Sequence, residues 1–147
     1  MTTIRKYTIK VNGDRPPKKK GNRSMFNEES REARHVVALR KAAKQVFGND
    51  QPLREPITLS LEIHTGMGNV VSGDLDSYVA GVCDALMAAH GNAINGLDAI
   101  FLKPENADID PRQPIGLVDD DEIVEIHAKK VAREPGKPHY EVVLVGV

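Results

Sequence analysis

Two groups of aspartates carry the chemistry legible in this chain: Asp74-Leu75-Asp76 and, 43 residues after Asp76, Asp119-Asp120-Asp121. Carboxylate oxygens are hard ligands, and a small set of them holds Mg²⁺ or Mn²⁺ with waters left in place. Such an ion can make a nucleophile of water and stabilise in-line attack at phosphorus. The first pair lies where a loop enters a helix, so residues two apart can converge on one cation. Backbone N–H groups at the same helix start favour an anion such as a scissile phosphate. The second group directly precedes a strand, and a carboxylate at a strand end is a common way to complete a metal site. Taken singly, each group has a plainer role, as a helix cap or a solvated turn.

Other chemistries find less support. Asp108-Ile109-Asp110 lacks the remainder of a calcium loop. His64, His90 and His127 show no zinc-ligand spacing, and the single cysteine, Cys83, excludes an internal disulfide and a Cys-based zinc site. No nucleophile elbow is present. With three Tyr, three Phe and no Trp, stacking of single-stranded bases on aromatic platforms is not expected.

The net charge of −1 conceals an asymmetry. Residues 1–48 hold thirteen Lys/Arg against four Asp/Glu, and residues 49–147 seven against seventeen. One part offers a surface for a polyanion, the other carboxylates for a cation. Arg15, Lys18, Lys19, Lys20 and Arg23 form a positive loop among prolines and glycines, and lysines there act on phosphate as point charges without reading sequence. The start of the chain lacks an apolar signal core and no run is long enough to span a bilayer, so no membrane partner and a cytoplasmic location are expected.

The elements that must position these residues follow from periodicity. Tyr7, Ile9 and Val11 alternate with polar residues, predicting a strand over 4–11, followed by a basic loop over 12–26. Asn27 is placed to cap a helix running to Phe47 and stopping at Gly48, with Val36, Leu39, Ala43 and Val46 inward and Arg34, Arg40, Lys41 and Lys44 mostly on the other faces. Ile57, Leu59, Leu61 and Ile63 predict a half-buried strand. A second helix is expected from about Asp76 to His90, with Val79, Val82, Cys83 and Leu86 inward. Residues 91–118 carry three prolines and three glycines and read as a long loop with a short element near Ala99–Leu102. Strands at 122–131 and 139–146 close the chain. The order β-α-β-α-β-β predicts a single α/β (α+β) domain over 1–147, a mixed sheet covered by two main helices.

Asp74-Leu75-Asp76-Ser77-Tyr78, then Cys83-Asp84-Ala85-Leu86, then Val118-Asp119-Asp120-Asp121-Glu122-Ile123-Val124 resemble the RusA family of Holliday-junction resolvases. The resemblance covers about residues 4–131, with its specific motifs between 74 and 124. It implies a small α/β homodimer that cleaves four-way DNA junctions in recombination and repair, by paired Mg²⁺-dependent nicks. Asp74 and Asp76 match the two helix-entry carboxylates, Asp120 the third catalytic carboxylate, and Asp119 its neighbour. The chain departs from the family at Ser77, where Asn is usual, at Ala80, where a functional lysine is usual, and in the length of 91–118. Lys103, Lys129 and Lys130 are the candidates to stand in for that lysine. The expectation is a metal-dependent endodeoxyribonuclease of branched DNA, with Asp74, Asp76 and Asp120 catalytic and Asp119 beside them on the metal. The alternative is a non-catalytic branched-DNA-binding protein on the same fold. A hydrolase of a small phosphorylated substrate comes third, because a small ligand has no need of so much positive surface.

Overall fold

The computed structural model describes residues 4–19, 21, 24–65, 74–89, 91–131 and 136–146. Four strands form one mixed sheet: β1 (Arg5–Asn12), β2 (Ile57–His64), β3 (Ile123–Val131) and β4 (His139–Gly146). Their order across the sheet is β1-β4-β2-β3. β4 lies between β1 and β2, antiparallel to both, while β2 and β3 run parallel. A parallel pair needs a crossover, here carried by a helix, α2 (Leu75–Leu86). The expected single domain with a mixed sheet and two main helices is what the chain forms.

The period-2 pattern of β2 divides the two faces. Ile57, Leu59, Leu61 and Ile63 are at most 1% exposed, on the face packed by α2 and by the other main helix, α1 (Ala33–Phe47). The opposite face is polar. There the register sets Lys10, Glu141, Glu62 and Lys129 side by side across the four strands. Glu62 and Glu141 face each other directly, which disfavours that pairing, and Lys10 and Lys129 offset it at 3.7 and 3.5 Å.

α1 begins later than its sequence suggests. Asn27 makes no cap; it forms an isolated bridge with Leu97, and a 3-10 turn over Glu28–Ser30 follows it. The Ser30 hydroxyl donates to the Met25 and Asn27 carbonyls, a local competitor to helical bonding. Arg31 then adopts φ 60°, which no helix continues through. At the other end Gly48, at φ 57°, donates its N–H to the Lys44 carbonyl and stops the helix as expected. Val36, Leu39 and Ala43 face the core, but Phe47 replaces Val46, which is 39% exposed.

The larger correction concerns Arg40 and residues 91–118. Arg40 is fully buried. Its guanidinium donates to five carbonyls: Ala85 and Met87 at the end of α2, and Ile109, Asp110 and Gln113 in the 91–118 segment, at 2.5–3.2 Å. The last carbonyls of a helix are its negative end, so this arginine both caps α2 and ties the long connection to it. Burial lowers its pKa to about 10, which leaves it charged at neutral pH. The segment is accordingly structured, with 3-10 turns over Gly91–Gly96, Ala99–Leu102 and Pro104–Ile109, the second at its expected place. Phe101, Ile109, Ile115 and Leu117 join the core.

α2 also receives the first part of the basic loop. Lys19 N–H donates to the Ser77 carbonyl at 3.1 Å, and Pro17 crosses the helix at Gly81. A Cβ on Gly81 would lie 1.9 Å from the Pro17 carbonyl oxygen, closer than atoms can approach. Helix propensity alone favours Gly81→Ala by about 1 kcal/mol. The close approach reverses the sign, and we expect a net loss of about 1–3 kcal/mol. A raised midpoint in urea unfolding would contradict this packing.

Candidate metal centre

Asp119, Asp120 and Asp121 stand at the foot of β3, where residues 120–122 form a 3-10 turn. Asp119 Oδ1 caps that turn by accepting the Asp121 N–H at 3.0 Å. The turn folds three successive carboxylates onto one side, with an oxygen of each within 4.8 Å of the others. All three residues are exposed, so water and an ion can reach them. The Asp120 carboxyl is held above its ordinary range, by partial burial first and then by a bond with Asp119 and the charges of Asp119, Asp84 and Asp121. This is the electrostatic condition under which a divalent cation is favoured: it would relieve repulsion among oxygens already gathered.

Asp84 belongs to the same patch and is a residue whose part was not read from the sequence. It lies on the last turns of α2 beside Cys83, and Lys19 forms an ion pair with it. The available signal was spacing: Asp84 follows Asp76 by eight residues and so returns near the same side of the helix. Cys83 is buried next to this patch. Burial first, then the charges of Asp120 and Asp84, push its thiol up to about 12, so it is no nucleophile at neutral pH.

Asp74 and Asp76 mark the other end of α2. Asp74 holds the N-cap position with no cap bond from its side chain, and Asp76 Oδ1 accepts the N–H of Ser77 at 3.0 Å. Both are exposed. Because β2 and β3 are parallel, the crossover helix runs back against β3. Its first turns therefore meet the end of β3, where Lys130 Nζ lies 5.8 Å from the Tyr78 ring, and its last turns meet Asp120 at the strand's start. Asp76 and Asp84 are about 12 Å apart along the helix axis. Within one chain, then, the expected set Asp74, Asp76 and Asp120 is not gathered on one ion. The described residues form two acidic positions, at opposite ends of α2.

The basic loop divides similarly. Arg15 is spent on the fold: its guanidinium grips the Glu32 carboxylate through two bonds at 2.8 and 2.7 Å, and the Lys18 N–H donates to Glu32 Oε1 at 2.7 Å. Burial pushes the Glu32 carboxyl up, but these bonds outweigh it and hold it below its ordinary range. Lys19 is engaged by Asp84, whereas the half-exposed Lys18 side chain forms no ion pair among the described residues. Lys20 and Arg23 lie outside the described residues. Of the lysines considered in place of Ala80, Lys103 is exposed within the 91–118 segment and Lys129 pairs with Glu62 on the open sheet face. Lys130 alone of the three faces α2, at its entry.

No protein-family model matches the chain, and no curated protein matches it either.

Proposed function

We propose that this protein is a RusA-like, Mg²⁺-dependent endonuclease of branched DNA. The observation that carries the reading is the crowded carboxylate patch of Asp119–Asp121, before β3, and Asp84, with its raised Asp120, beside the last turns of the helix whose start presents Asp74 and Asp76. Mg²⁺ bound there would supply hydroxide at neutral pH and charge to oppose that of the attacked phosphate. Asp74, Asp76 and Asp120 are the ligands in this reading, with Asp119 holding the turn that aims Asp120. The N–H groups opening α2 receive the scissile phosphate, and Lys130 lies at that end to steady it. Lys18, with Lys20 and Arg23, contacts the backbone of the arms, while Arg15 and Lys19 position the loop that carries them.

Placement of the two acidic positions at opposite ends of α2 adds a requirement: two copies must bring them to the same phosphate. Paired symmetric nicks ask for the same two-fold axis. The same separation also favours a second reading, a protein of this fold that binds junctions without cutting them. Ala80 and the internal pairing of Arg15 and Lys19 point the same way. Cleavage of a synthetic four-way junction against a linear duplex of the same arm sequence, in Mg²⁺, separates the two. The first reading expects nicks in the junction only. Junction binding with no cleavage would leave the second.

A further inference from the structure

We infer that Lys19 is a built-in counter-ion of the carboxylate patch, held on Asp84 until a divalent cation takes that carboxylate from it. On the metal reading proposed above, on which this rests, Asp84 becomes a further ligand and Lys19 the group the ion must displace. The affinity for the ion is then set by a lysine of the basic loop.

The Lys19–Asp84 pair differs from the other lysine pairs of the described residues. Its members lie 65 positions apart in sequence, and their ammonium and carboxylate are in direct hydrogen-bonding contact. Only 28% of the Lys19 side chain and 26% of that of Asp84 is exposed. Lys10 with Glu141, Lys41 with Asp108 and Lys129 with Glu62 stand at 3.5–3.7 Å, all more open to water. Screening by solvent is correspondingly weaker at Lys19. The backbone around it is fixed without the ion pair. Lys19 N–H donates to the Ser77 carbonyl at 3.1 Å, Lys18 N–H donates to Glu32 at 2.7 Å, and Pro17 lies against Gly81. The ammonium can therefore change partner by rotation of its own four-carbon stem while the loop stays in place.

Asp84 is open to two cations. Lys19 is the one it holds. The other is the ion for which Asp119, Asp120 and Asp121 are gathered, with an oxygen of each within 4.8 Å of the others. The charge of Asp84 reaches that group, since it is among those that raise Asp120. An ammonium carries one charge and three N–H donors, and it neutralises Asp84 while leaving the other three carboxylates crowded. Mg²⁺ or Mn²⁺ carries twice the charge and gathers several oxygens into one shell, directly or through bound water. Bound at Asp119–Asp121, it would attract Asp84 and repel the Lys19 ammonium. Metal and lysine thus compete for one carboxylate, and by linkage each weakens the hold of the other.

Calorimetric titration of the protein with Mn²⁺, without DNA, reads this competition apart from any nuclease assay. Lys19→Met keeps the stem and removes the charge, and should tighten Mn²⁺ binding about threefold to tenfold. Lys10→Met makes the same change in net charge on the open sheet face and should leave the affinity as it was. Asp84→Asn should weaken binding, and in that background Lys19→Met should bring little further gain, because the two residues act as a pair. Circular dichroism establishes that each variant is folded. Mn²⁺ should in turn speed the labelling of Lys19 in the wild type by an amine-reactive acylating reagent, followed by mass spectrometry, and leave that of Lys10 unchanged. Equal Mn²⁺ affinity in wild type and Lys19→Met, or a gain that survives intact in Asp84→Asn, would overturn the inference and leave the metal centre standing. No Mn²⁺ binding by any of the proteins would overturn both. Binding and labelling as expected in a protein that cuts no junction would uphold the counter-ion and count against the nuclease alone.

Discussion

Arg40→Met is expected to lower the stability of the fold by about 4 kcal/mol or more. Methionine fills a similar volume, so the loss reports the guanidinium and not a cavity. Five carbonyls on two segments lose their donor at once, and a buried acceptor left without a partner costs about 1–3 kcal/mol. Even if water reaches several of them, the sum is about 4 kcal/mol or more, against a total stability of roughly 5–15 kcal/mol for a domain. Arg40→Lys keeps the charge but not the fork, and should fall between. Urea unfolding followed by circular dichroism gives both values. A midpoint for Arg40→Met within experimental error of wild type would show that the 91–118 segment is held by its apolar residues alone.

Asp120→Asn is expected to abolish cleavage while leaving junction binding unchanged or tighter. The substitution keeps shape and removes one charge from a patch whose crowding already raises the Asp120 carboxyl. Repulsion toward DNA phosphate falls, and a hard ligand is lost. The rate should drop by more than the ~10–100-fold that follows loss of a group merely supporting a ligand. Because a raised carboxyl takes up its proton at higher pH than usual, the wild-type rate should also fall early on acidification, as protons compete with the cation. Asp119→Ala is a less clean probe, since it also removes the cap of the 3-10 turn. Equal loss of binding and cleavage in Asp120→Asn would refute the ligand role.

The strands were legible because their residues alternate, and each lies within a residue or so of its expected place. Where reading failed, the cause was tertiary. Arg40 sits among residues whose periodicity marks it as solvent-facing, and only the folding of 91–118 over α1 encloses it. Nothing local in Pro17 or Gly81 announces that one crosses the other. The candidate site was readable as residue types and not as a constellation. Asp74, Asp76 and Asp119–Asp121 are acidic and exposed as expected, but their distribution along α2 depends on the parallel pairing of β2 and β3, which spacing in sequence does not encode. Asp84 was visible as a letter beside Cys83, and its company with Asp120 was not.

The measurement that bears most directly on the central claim is a denaturing gel of end-labelled four-way junction, incubated with protein in Mg²⁺ and in EDTA, with Asp120→Asn alongside. We expect symmetric nicks near the crossover in Mg²⁺ only, and none from the variant. Intact strands from folded wild-type protein in Mg²⁺, or nicks that persist in EDTA, would contradict it.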